Sequence, residues 1–92
     1  MRPIYLCDLD AAARALLAVP PEDRAVLARH IVFAADTADR YRKRLRKAHT
    51  AYGTGTLTSA VSDMTRAGTP YCHADYRKCL QTLLSALTHQ SA

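Results

Sequence analysis

Apolar and polar positions follow one another along this chain with helical spacing almost throughout. Leu9, Ala12, Ala13 and Leu16 recur three or four residues apart or side by side in an alanine-rich stretch. Residues at that spacing return to one face of an α-helix, and Asp8 is a favourable N-cap, so a first helix is predicted over about 8–18. Val19-Pro20-Pro21 ends it. Pro21 suits the first position of a second helix, where Glu22 and Asp23 place negative charge at the positive end of the dipole.

The second helix carries the clearest stripe: Leu27, Ile31, Ala34, Ala38, Tyr41 and Leu45, with spacings of four, three, four, three and four. This heptad-like seam is too short and too rich in small residues to specify a coiled coil, and it points to packing inside a small bundle with Tyr41 as a core anchor. The helix is predicted to be about 28 residues long. Ala51-Tyr52-Gly53-Thr54-Gly55-Thr56 then reads as a loop, with Tyr52 packing on the bundle. Leu57, Ala60, Val61 and Met64 predict a short third helix closed by Gly68. Cys72, Tyr76, Cys79, Leu80, Leu83, Leu84 and Leu87 share one broad face of a fourth helix over about 74–88. Its start is open between a cap at Thr69-Pro70 and a later one at His73 or Asp75. No alternating strand pattern competes. The expected fold is a single all-α domain over residues 1–92, a bundle of three substantial helices plus one short helix.

Composition sharpens this picture at one place. At 92 residues and 10.1 kDa a single domain buries only about 60–65% of its unfolded surface, so a homo-oligomer would be a natural way to extend a thin core. The net charge of +5 is confined to Arg40, Arg42, Lys43, Arg44, Arg46 and Lys47; elsewhere seven cations face eight acids, a balance of −1. On a helical wheel the six cations lie opposite Tyr41 and Leu45. They form a candidate docking surface for nucleic acid or for an acidic protein surface. Asp36 and Asp39 each precede a cation, Arg40 and Lys43, by four residues, the favourable order for an intrahelical pair. About four cations then remain for phosphates, with a log–log salt slope of about −3 to −4. The link through Pro20-Pro21 looks superficially like a helix-turn-helix, but that motif needs a short recognition helix after a tight turn, and here the cations sit at the far end of a long one.

Other chemistry finds little support. A Gly-x-Gly at 53–55, with no strand before it and no lysine at Walker spacing, is not a nucleotide fingerprint. Cys72 and Cys79 are seven residues apart, a spacing that suits two core thiols on one helix face better than metal ligands joined by His73 and His30 or His49. His30, flanking the seam, reads as a boundary residue making an ordinary hydrogen bond. Asp8, Asp10, Glu22, Asp23 and Asp75 lie mostly at predicted helix starts, and no nucleophile comes with a base and an orienting group. The expectation is a protein that is not an enzyme and takes no metal, cofactor or small-molecule substrate. An odd count of three cysteines, no signal-peptide layout and no apolar run near the roughly 20 residues that span a bilayer predict a soluble cytoplasmic chain that does not engage membranes.

Three stretches carry a resemblance: Tyr5-Leu6-Cys7-Asp8-Leu9-Asp10-Ala11-Ala12-Ala13-Arg14-Ala15-Leu16-Leu17 with Val19-Pro20-Pro21, then Ala38-Asp39-Arg40-Tyr41-Arg42-Lys43-Arg44, and Asp75-Tyr76 with Cys79-Leu80. Together they resemble a family of small uncharacterised proteins from alphaproteobacteria of the Rhodobacter type. The resemblance spans most of the chain and implies an accessory factor in the regulation or production of gene transfer agents, which are phage-like particles. One departure is visible after His49, where the family's Pro-x-Trp-Gly is replaced by Thr50-Ala51-Tyr52-Gly53. The expected function is a non-enzymatic regulatory or assembly accessory that docks through the basic end of the second helix. The alternatives are a small-terminase-like DNA-packaging oligomer and a protein-only adaptor gripping an acidic partner.

Overall fold

The computed structural model describes residues 4–49, 51–68 and 73–90. It is a small all-α bundle with α1 at Leu6–Leu17, α2 at Arg24–Leu45, a one-turn α3 at Leu57–Ala60 and α4 at Ala74–Gln90. Among the described residues no strand forms; the one β-type contact is an isolated bridge between His49 and Gly53. The predicted stripes meet in one core. Ala12, Ala13 and Leu16 of α1, Ile31, Ala34 and Ala38 of α2, Leu57, Ala60 and Val61 around α3, and Tyr76, Cys79 and Leu83 of α4 are all buried. Alanine supplies much of the buried surface of α1 and α2, at no cost in side-chain entropy.

The helix ends differ from the predicted ones for reasons visible in the bonding. Helix α1 begins at Leu6, so Asp8 is its third residue rather than its cap. From there the buried carboxylate accepts the Tyr5 N–H at 3.0 Å through Oδ2, while Oδ1 accepts the Thr58 N–H at 3.2 Å and the Thr58 hydroxyl at 2.6 Å. It therefore closes the start of α1 and ties it to α3 at once. Burial raises the Asp8 pKa and these donors outweigh that, leaving it below the usual carboxylate range. At the other end of α1, Arg24 Nε donates to the Leu16 carbonyl at 3.1 Å, which also accepts the Val19 N–H at 3.2 Å. Pro21–Asp23 form a separate 3₁₀ turn, so α2 proper starts at Arg24, three residues later than its sequence suggests.

Helix α3 is shorter than predicted. It ends at Ala60, and Gly68 does not close it; residues 61–64 continue only as turns. The Ala67 N–H instead donates to the Arg14 carbonyl at 3.1 Å, which draws this segment back across α1. Asp10 holds the same side together, accepting Arg14 Nε at 3.0 Å and the Tyr76 hydroxyl at 2.9 Å. On α4 the predicted face holds except at Leu84, which is 45% exposed while Ala86 takes an inward position. The expectations for Thr69, Pro70 and Cys72 fall outside the described residues.

Candidate basic docking site

The contacts at the far end of α2 explain how the basic segment is presented. Gly55 has a φ of +100° and lies directly on the α2 backbone: a Cβ added there would stand 2.7 Å from Asp39 Cα and 2.8 Å from Asp39 Cβ. Glycine is required both for the positive φ and for the close approach. Through this contact the loop before α3 packs on α2 at Asp39. Beyond it, Tyr41 is half-buried, and Leu45, predicted as the last position of the seam, is 51% exposed. The seam fails there because the helix has outrun the bundle.

All six candidate cations are exposed on this overhang. Four of them, Arg40, Arg42, Lys43 and Arg44, lie within α2; Arg46 and Lys47 lie beyond its last residue. The helix stops because Arg46 takes a left-handed conformation, φ 58° and ψ 34°, and donates its N–H to the Arg42 carbonyl at 2.7 Å. A non-glycine residue there costs roughly 1 kcal/mol. The prediction of one continuous helix through Lys47 is therefore corrected, because the chain turns at Arg46 so that His49 can pair with Gly53. In that pair the His49 N–H donates to the Gly53 carbonyl at 2.8 Å and the Gly53 N–H to the His49 carbonyl at 3.0 Å.

Both predicted intrahelical pairs form: Arg40 with Asp36 at 3.0 Å and Lys43 with Asp39 at 2.9 Å. The Arg40 side chain is 78% exposed, so its pair contributes little to stability. Asp39 differs, being only 1% exposed. Burial raises its pKa, and hydrogen bonding and charge, those of Lys43 among them, outweigh burial and leave it below the usual range. An ionised Asp39 under Lys43 orients that ammonium. Arg42, Lys43 and Arg46 together line a concavity of about 260 Å³.

An aromatic group that sequence reasoning missed stands beside the cations. The His49 ring stacks on Tyr52 at 4.8 Å with 10° between planes, and meets Tyr41 edge-on at 4.9 Å. His49 Nδ1 accepts the N–H groups of Ala51 and Tyr52 at 3.0 and 3.1 Å, which holds the loop closed. Tyr52 packs against the core as predicted, and its edge faces His30 at 6.1 Å. His30 is exposed, and that ring contact stands where a boundary hydrogen bond was expected. Helix α2 ends at Leu45, before His49 and Tyr52, so the loop rather than a continuous helix face brings the three rings together.

The remaining features have structural explanations. Gly53, with φ +83°, lies against the Ser59 side chain, and Gly55 lies against Asp39, so both faces of the Gly-x-Gly segment are filled by protein. A shallow groove of about 550 Å³ between α2 and α4 is lined by Ala25, Arg29, Gln81, Thr82, Ser85 and Ala86, with one charge among small and neutral groups. Among the described residues no three His, Cys, Asp or Glu side chains gather into a group suited to a metal ion. Cys79 is buried in the core and Cys7 is exposed. No described helix is long and apolar enough to cross a membrane.

The fold and this site define a small all-α bundle whose longest helix carries an uncovered cationic end. The chain belongs to the family described as Domain of unknown function (DUF7742), whose family model matches residues 2–87. No curated protein and no solved structure matches it.

Proposed function

We propose that this protein is a non-enzymatic, cytoplasmic accessory that docks on nucleic acid through the overhanging end of α2. The observation that carries this reading is the separation of charge from the rest of the fold. Six cations are exposed where α2 leaves the bundle, while the balance elsewhere is −1. A phosphate backbone rewards such a local cluster without needing base-specific contacts, so the binding is modest in affinity and independent of sequence. The setting, regulation or assembly of phage-like gene transfer particles, rests on the resemblance of the three sequence stretches alone.

The test is fluorescence polarisation of a labelled duplex across a salt series. With Arg40 and Lys43 partly engaged, about four phosphate contacts give a slope near −3.6. Replacing Arg42, Arg44 and Arg46 by Glu should abolish binding. Absence of salt-sensitive binding, or equal binding by the triple variant, rejects the proposal.

A packaging oligomer is the second reading, and one observation favours it. Val26 and Phe33, one heptad apart on the outer face of α2, are 62% and 56% exposed. Light scattering that finds a defined large oligomer supports this reading, and a monomer or dimer argues against it.

A further inference from the structure

Three described residues have positive φ. Two are Gly53 and Gly55, and the third is Arg46. Glycine or asparagine is the residue a left-handed helix stop accepts with least strain, so an arginine there departs from the pattern the chain follows at its other two such positions. The turn has a geometric result. It brings Arg46 back over the last turn of α2, beside Arg42, whose carbonyl accepts its N–H, and beside Lys43. Lys43 is itself held by the buried Asp39 carboxylate at 2.9 Å, which uses one of its three donors and leaves two.

We propose that Arg42, Lys43 and Arg46 form a seat for a single phosphate group, with Arg46 as the residue that closes it. The inference deepens the docking reading above and rests on it for the larger ligand. Charge favours it: the three cations outnumber the one carboxylate paired with Lys43 and exceed the roughly half a negative charge at a helix C-terminus. Size permits it as well: a concavity of about 260 Å³ has room for a phosphate group. Two guanidinium groups supply planar paired donors matched to phosphate oxygens. Arg40, Arg44 and Lys47 do not line the concavity and act only through the general field.

The experiment is an NMR titration of the full chain, following the side-chain Nε–H signals of its arginines, first with inorganic phosphate and then with a short DNA duplex. Phosphate should move Arg42 and Arg46 along saturating curves and leave Arg44 nearly unmoved. Arg46→Gly, which relieves the backbone, should melt at or above the temperature of the parent protein yet bind phosphate about tenfold more weakly, as loss of a charge-assisted contact implies. Arg44→Gln should change phosphate affinity by less than about threefold. Unchanged binding by Arg46→Gly, or an equal loss in Arg44→Gln, overturns the seat and shows a diffuse field. The duplex arm separates the two proposals. Saturable phosphate binding without duplex binding keeps the seat and removes the nucleic-acid function, whereas salt-sensitive duplex binding without phosphate saturation overturns the seat alone.

Discussion

Replacing Gly55 by alanine tests the contact that sets how far α2 is covered. The new Cβ would lie 2.7 Å from Asp39 Cα, 2.8 Å from Asp39 Cβ and 3.0 Å from Asp39 N, and two of those three atoms are backbone that cannot rotate away. Overpacking of this kind costs about 1–3 kcal/mol. The φ of +100° adds about 1–3 kcal/mol for a residue bearing a Cβ. Some relaxation of the loop offsets part of the sum, so a loss of about 2–4 kcal/mol is expected. A domain of this size shifts by about 4–8 °C per kcal/mol, which places the melting temperature about 8–32 °C lower. Thermal unfolding followed by circular dichroism measures this directly. Gly68→Ala is the internal control, since its nearest neighbour is Arg14 Nη1 at 3.9 Å and its φ is not positive, and it should melt within a few degrees of the parent, about 5 °C at most. If Gly55→Ala behaves like Gly68→Ala, Gly55 does not abut Asp39 and the overhang is not set by this contact.

Three further outcomes follow from buried ionisable groups. Asp8→Ala removes the acceptor for the Tyr5 N–H, the Thr58 N–H and the Thr58 hydroxyl and should cost about 2–3 kcal/mol in urea unfolding; a loss under about 0.5 kcal/mol would refute its role as a tie between α1 and α3. Because the folded pKa values of Asp8 and Asp39 lie below the ordinary carboxylate value, their contribution is fully present above that value and is lost as pH falls through the lower, folded values. Stability should therefore fall with acidification below about pH 4 in the parent, and less steeply in Asp8→Ala, measured as the urea midpoint against pH. Burial raises the Cys79 thiol pKa, with the Arg24 charge opposing and Asp75 reinforcing that shift. In the native chain Cys7 should therefore alkylate promptly and Cys79 only on unfolding, as peptide mapping by mass spectrometry would show; equal rates would place Cys79 outside the core.

The legible part of this protein was what depends on local period. The stripes of α1 and α2 and most of α4 appear as cores because a residue three or four positions on returns to the same face whatever surrounds the helix. The pairs Asp36 with Arg40 and Asp39 with Lys43 were legible for the same reason. Leu45 and Leu84 fit the period equally well and are nevertheless exposed, since a stripe states which face is apolar and not how far a neighbouring element reaches. Asp8 shows the same limit: its residue type suits a cap, and only the partner Thr58, 50 positions away, decides that it works one turn further in.

The sequence alone determined an all-α chain of three long helices and one short one, and the concentration of its positive charge between Arg40 and Lys47. Tertiary structure decided what that charge becomes. The contact of Gly55 on Asp39 ends the cover over α2, the left-handed turn at Arg46 folds the last cations back on the helix, and the loop gathers Tyr41, His49 and Tyr52 beside them. The physical reason is range. Helical period and charge density are properties of residues close in the chain, whereas the end of a packed surface is set by contacts between segments whose separation no local pattern records.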